Sequence, residues 1–292
     1  MRRALRWSGY FLVGVLGVAV IAYAAVYVMS ERILNRLYDV PAIAVTVPHD
    51  SATVAEGERL ARVRGCHGCH GAKLDGAVFL DEPNVARLVA PNLTRVLPTY
   101  DDAELARLLV HGVRKDGSSV VVMPSSMFYH LSDADVGAII AHLRAAPPVD
   151  HDPGEREVRI LGRVGLVTKQ FNTESSVIDH AAPRLGNTRA ADDTSQVARG
   201  EYLARTSCTE CHGPALRGDP LTPSLARALD YPRDAFGRLL KTGVPRDGRD
   251  LTMMDDVARE RFSHLRDDEV DAIYAFLRTI APAPVPAATP AP

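Results

Sequence analysis

The chain has 292 residues, 46% of them hydrophobic and 24% charged, as expected of ordinary globular material organised in about two domains. Its formal net charge of −2 excludes the basic surplus of a nucleic-acid binder. Four cysteines limit the sulfur chemistry to two disulfides, a metal site, a redox motif or covalent cofactor attachment.

The N-terminus carries the first strong signal. Trp7 to Ser30 contains no charged residue, and Tyr10 to Met29 is almost wholly apolar. That is about the 20 residues a helix needs to span a hydrocarbon core. Arg2, Arg3 and Arg6 precede it, which places the N-terminus in the cytoplasm and the body outside. The run exceeds the usual core of a signal peptide and no clean A-x-A site follows it, so residues 1–36 read as an uncleaved single-pass anchor; a cleaved leader is the rival. Five of the 34 basic residues and one of the 36 acidic ones lie in this leader, leaving the exported body at −6. A mildly acidic body favours a partner with a basic docking face.

Residues 37–50, with two prolines, read as an extended spacer. An internal duplication follows. Positions 54–62 (VAEGERLAR) match 197–205 (VARGEYLAR); Arg107-Leu108-Leu109 and Gly112 match Arg238-Leu239-Leu240 and Gly243; and 130–144 match 264–278 at nine of fifteen positions. Three blocks in one order mean one module used twice, over 51–148 and 193–280. The stretch 149–192 is left as a linker, containing one amphipathic helix over 158–171, and 281–292 is a disordered Pro/Ala tail. The final block reads as a closing helix: Ser132 and Asp135 give a capping-box start, then Val136, Ile139, Ile140 and Leu143 make one apolar face. The first block reads as an opening helix. Gly57 and Gly200 sit inside it at a cost of up to about 1 kcal/mol, which implies that another backbone, the closing helix, comes close.

All four cysteines fall in CxxC pairs, each followed directly by histidine: Cys66-His67-Gly68-Cys69-His70 and Cys208-Thr209-Glu210-Cys211-His212. Positions i, i+3 and i+4 of a helical turn share one face. Two thiols there form thioethers to the two vinyl groups of one porphyrin edge, and the histidine turns its imidazole to the iron. This is the signature of c-type haem attachment. A zinc site is disfavoured by the 138 residues between the pairs, a thioredoxin-like pair by the missing βαβ context, and disulfides by the repeated histidine. Cys66, Cys69, Cys208 and Cys211 are therefore the expected attachment residues for two haems c, with His70 and His212 as iron ligands; His67 reads as a solvent-side residue. Methionine is the usual sixth ligand of an electron-transfer haem. All methionines outside the leader are Met123, Met127, Met253 and Met254. Met123 and Met254 are the expected ligands, with Met127 and Met253 as alternatives. His130 and His264 are rivals for a bis-His site, though a helix cap or a propionate contact suits them better.

At these residues the chain resembles the class I c-type cytochromes, and specifically the membrane-anchored dihaem cytochromes c, over about residues 50–280. The resemblance rests on both CxxCH sites, on APNLT at 90–94, on Asp116-Gly117 followed by Met123-Pro124, and on the paired closing helices. APNLT is also similar to segments in the cytochrome subunits of periplasmic alcohol dehydrogenases. The resemblance implies an all-α fold around each haem, with Pro91 beside the proximal histidine and Pro223 as its counterpart. Two CxxCH sites and an N-terminal anchor depart from the three-haem dehydrogenase subunits, which are anchored C-terminally.

The reading that follows is a non-enzymatic electron carrier on the periplasmic side of a bacterial inner membrane. It would pass single electrons between respiratory-chain partners: a dehydrogenase or quinol-oxidising complex on one side, a terminal oxidase or soluble cytochrome on the other. The alternatives are a dedicated cytochrome subunit of a periplasmic dehydrogenase, or a dihaem peroxidase or thiosulfate-oxidising enzyme. The enzymes need an open iron position, against which the methionines argue.

Overall fold

The computed structural model describes residues 2–188, 195–219 and 221–280; the Pro/Ala tail at 281–292 lies outside the described residues. A helix of 33 residues, Arg2–Leu34, comes first. Its segment Arg6–Leu34 has a mean hydropathy of 2.4 in its best window, none of that window buried by the rest of the chain, and is long and apolar enough to cross a membrane. Its last turn is fastened to the body. Arg163 bonds Glu31 at 2.7 Å and Ser30 Oγ at 2.8 Å, and its guanidinium lies 4.1 Å over the ring of Tyr27.

Each repeat folds around a crossing of its opening and closing helices. In the first these are Ser51–Val63 and Asp133–Ala145; in the second, Gln196–Arg205 and Asp267–Leu277. The glycines explain the crossing. A Cβ on Gly57 would lie 1.9 Å from the carbonyl oxygen of Ala138, and one on Gly200 would lie 1.8 Å from that of Ala272. Only a residue without a side chain lets the backbones meet, as the sequence led us to expect. Leu60, Leu105, Met127, Leu131 and Ile139 fill the first core; Leu203, Phe236, Phe262, Ile273 and Leu277 fill the second. Asp50 and Ser195 cap the opening helices through their side chains, accepting from Thr53 N and Ala198 N. Ser132 accepts from Asp135 N at the first closing helix, and Glu269 accepts from Arg266 N at the second. The caps are therefore these residues and not His130 or His264.

Both modules are helical, and the structure adds a small sheet that the all-α reading omits. β1 (Ala77–Glu82) and β2 (Ala86–Ala90) form an antiparallel hairpin with a bulge between Val78 and Leu80, and β3 (Glu157–Val158) pairs with β2. The local signal was a run of β-forming side chains on either side of Pro83-Asn84. The helix expected over 158–171 is Ile160–Val167, shortened by β3 before it and Lys169 at φ 60° after it.

The described part of the stretch read as a linker, residues 149–188, is a strap around the first module. Asn92 Nδ2 donates to the carbonyls of Val149 and His151, and Arg87 to those of Pro153 and Glu155. Ser175 Oγ donates to His111 and Gly112 carbonyls, His180 meets His111 at 2.8 Å, and Arg184 pairs with Asp133 at 2.6 Å. The spacer at 37–50 is extended, as expected, but it is also packed: Val40 is buried and Ile43, Val45 and Val47 lie on the first core.

The two modules meet through reciprocal contacts. Arg59 on the first opening helix bonds both oxygens of Glu269 on the second closing helix, at 2.8 and 2.9 Å. Tyr202, which corresponds to Arg59, donates to Asp135, which corresponds to Glu269, at 2.5 Å, and accepts from Ser132 N. Arg64 and Ser207, corresponding positions in the register of the opening helices, touch each other at 2.5 Å. A contact from i to j that recurs as j to i defines a two-fold relation, here an approximate one within a single chain.

Candidate haem-attachment sites

Both CxxCH segments form one helical turn at the end of an opening helix. Cys66–His70 is entered through Gly65 at φ 80° and left through Gly71 at φ 82°; Thr209–His212, with Cys208 at its cap, is left through Gly213 at φ 72°. The turn places both thiols and the histidine of each motif on one face. None of the four cysteines forms a disulfide. Burial pushes the Cys66 thiol up to about 11 and that of Cys208 up to about 12.

The histidines are oriented by backbone carbonyls. His70 Nδ1 donates to Pro91 O at 2.9 Å, and His212 Nδ1 to Pro223 O at 2.8 Å. A carbonyl can only accept, so Nδ1 carries the hydrogen and Nε2 keeps its lone pair for a metal. Burial lowers the pKa of both imidazoles, which favours the neutral, ligating form. Pro91 is itself fixed by its neighbours: Asn92 is buried and bonded to the strap, and Leu93 N donates to Leu74 O. Pro223 is placed similarly, with Leu225 N donating to Leu216 O.

Leu74 and Leu216 are site residues that sequence reasoning missed. Both are buried and both adopt a left-handed backbone, at φ 59° and 56°. In each module the loop between the histidine and the proline is closed by matched bonds: Leu74 N to Gly71 O and Gly76 N to His70 O; Leu216 N to Gly213 O and Gly218 N to His212 O. Strain at a β-carbon-bearing residue persists where its surroundings over-determine it. The signal was present as Gly71-x-x-Leu74-x-Gly76 and Gly213-x-x-Leu216-x-Gly218.

The four methionines separate by environment. Met127 is 2% exposed inside the first core and Met253 is 69% exposed. Met123 and Met254 are partly buried at the edges of the two cores. Met123 sits in a loop closed by Ser125 N donating to the Met123 carbonyl, just before the short helix Ser125–Phe128. His67 is not a free solvent-side group: its Nε2 lies 3.2 Å from that of His142, and its Nδ1 meets Ala72 O. His130 packs against Tyr129, and its backbone carbonyl receives Gly186 N. The carbonyl of His264 accepts from Arg59.

Two thiols on one face and a tautomer-locked imidazole fit a covalently held haem in each module. The comparisons agree. The cytochrome c family model matches residues 54–147 and 197–281. The chain is 24% identical over 289 residues to the cytochrome c subunit of an alcohol dehydrogenase (quinone) from Gluconacetobacter polyoxogenes, covering 83% of this chain and 59% of that protein. It is 24% identical over 268 residues to the fructose dehydrogenase cytochrome subunit of Gluconobacter japonicus, covering 78% and 52%. It is also 24% identical over 277 residues to the gluconate 2-dehydrogenase cytochrome c subunit of Pantoea cypripedii, covering 79% and 60%. The chain thus spans less than two thirds of the length of these relatives. With a family model matched on both repeats and the proximal geometry present in each, the chain belongs to the cytochrome c family.

Proposed function

We propose that this chain is a membrane-tethered dihaem cytochrome c that serves as the electron-transferring subunit of a dehydrogenase complex. The observation that carries the electron-transfer reading is the repeated proximal arrangement: a CxxCH turn whose histidine donates Nδ1–H to a proline carbonyl, 2.9 Å in one module and 2.8 Å in the other. The subunit reading is supported by relatives that are cytochrome subunits of alcohol, fructose and gluconate dehydrogenases. It displaces a free-standing respiratory carrier as the main reading.

Cys66, Cys69 and His70 would hold one haem, and Cys208, Cys211 and His212 the other. Haem c bound there supplies one-electron exchange at its iron. Met123 and Met254 are the sixth ligands in this proposal, supported by their partly buried positions beside the cores. Two protein ligands per iron leave no position for a substrate, which sets the peroxidase and thiosulfate-oxidising readings aside. The N-terminal helix holds the modules at the membrane surface, on the periplasmic side in the positive-inside orientation. Tethering raises the local concentration of the chain near a membrane-bound partner.

The test is purification of the tagged full-length chain from detergent-solubilised membranes. A dehydrogenase catalytic subunit is expected to co-purify, and its substrate should reduce the haem absorption band. Two haems per chain are expected by pyridine haemochrome, with retention of the chain in carbonate-washed membranes. A chain that purifies alone and is reduced only by a quinol-oxidising complex would overturn the subunit reading. Ready CO binding at both haems would overturn the carrier chemistry.

A further inference from the structure

Arg64 lies two residues ahead of Cys66 and is 2% exposed. Its Nη1 donates to Ser207 Oγ at 2.5 Å, and Ser207 is the residue before Cys208. Its Nε and Nη2 are buried without a hydrogen-bond partner among the described residues. Other arginines at the same boundary are neutralised: Arg59 by Glu269, and Arg261 by Glu210 at 3.1 Å. Arg64 has no carboxylate among the described residues. Burying a guanidinium without one carries a large desolvation penalty, and an arginine cannot escape it by losing its proton.

The position is as unusual as the charge. The contact joins corresponding residues of the two repeats, so it sits where the approximate two-fold axis passes between the modules. The chain runs from Arg64 and Ser207 directly into the two haem-attachment turns. Arg261 links the end of the first opening helix to the second turn: its Nε donates to Val63 O at 3.2 Å and its Nη1 bonds Glu210 within the second motif. The positive charges of Arg261 and, less strongly, Arg64 both reach the thiols of Cys66 and Cys208, and of the two only Arg64 lacks a carboxylate partner among the described residues. A structural clamp at this point would be better served by a carboxylate opposite the arginine. The second repeat supplies a neutral serine, which holds the guanidinium in place and leaves its field intact.

We propose that Arg64 is a charge-setting residue shared by the two haem sites, raising the reduction potential of both by disfavouring the more positive, oxidised irons. The proposal rests on the dihaem electron-transfer reading above. Each reduction adds one electron from the redox partner to one iron; Arg64 neither takes nor gives a proton.

The experiment is a potentiometric titration of full-length, haem-loaded protein, wild type against Arg64→Gln, Arg64→Lys and Ser207→Asp, with haem content measured on each. In Arg64→Gln both potentials should fall, each by at least a tenfold change in equilibrium constant against a one-electron mediator, about 59 mV. Arg64→Lys should restore most of the loss, which a geometry-dependent clamp would not. Ser207→Asp separates charge from structure further: the new carboxylate should raise the melting temperature while lowering both potentials. Unchanged potentials in Arg64→Gln and Ser207→Asp, or a shift at one haem alone, would overturn the proposal. If Arg64→Gln fails to take up haem, Ser207→Asp decides by itself. A wild-type haem count other than two would instead overturn the dihaem reading.

Discussion

Replacing Gly200 with alanine should destabilise the second module, although alanine is the better helix former. The substitution gains about 1 kcal/mol of helix propensity. Against this, the new Cβ would stand 1.8 Å from Ala272 O and 2.8 Å from Phe276 Cβ, where ordinary contact begins at 3.4 Å. Relief requires the opening and closing helices to part by about 1.6 Å, since the two nearest atoms, the carbonyl oxygen and carbon of Ala272, belong to backbone. A gap of that size forfeits much of the dispersion attraction between facing side chains, here Leu203, Ile273 and Leu277. Overpacking costs about 1–3 kcal/mol, and a backbone clash belongs at the upper end. The net loss is then about 2 kcal/mol, or roughly 8–16 °C in Tm for a domain of this size. Thermal unfolding followed by circular dichroism measures it. Gly57→Ala should do the same to the first module, whereas Gly9→Ala, with nothing within 4 Å of its Cβ, should leave the body unchanged. A Gly200→Ala variant as stable as the wild type would refute the close approach of the two helices.

Three further outcomes are expected. Removing one partner of the Arg59–Glu269 pair leaves a buried charge, since the Glu269 side chain is only 5% exposed; Arg59→Met should cost about 3–5 kcal/mol in denaturant unfolding, and much of this should return in the double variant with Glu269→Leu. Burial, with the His180, Arg184 and Arg107 charges behind it, holds His111 down to about 4, so the unfolded chain binds its proton first as pH falls. The resulting stability is complete above the unfolded value of about 6.5 and lost between there and pH 4; the loss is roughly 2 kcal/mol at pH 5, and His111→Gln should flatten the pH dependence of unfolding. Finally, Met123→Ala and Met254→Ala should each abolish part of the weak far-red sulfur-to-iron band of the oxidised protein. Met127→Ala should keep that band and cost about 2–5 kcal/mol in stability, because Met127 fills the first core.

The attachment chemistry was legible because it is local. Two thiols and an imidazole within one helical turn need no tertiary information, and neither does a charge-free apolar run preceded by arginines. The duplication was legible because it repeats the same side chains in order, and it carried the glycine argument from one module to the other. The strap was not legible: its prolines and polar residues look like a linker, and only the acceptors on the first module, such as the carbonyls of His111 and Leu131, turn it into structure. The sheet was passed over because helical periodicity dominates the remainder of the chain.

The sequence by itself determined that the chain has two CxxCH motifs, each in its own helical module, and one helix able to cross a membrane. Tertiary structure alone decided which nitrogen of His70 and His212 is free, since the carbonyls that hold Nδ1 come from Pro91 and Pro223, 21 and 11 residues further on. It also decided which methionine of each adjacent pair lies beside a core rather than within it or in solvent. The pairing of the modules was beyond any local pattern: Arg59 and Glu269 are 210 residues apart, and their contact exists only because the two repeats fold back on one another about a common axis. That folding is what brings Arg64, just ahead of the first CxxCH turn, onto Ser207, just ahead of the second.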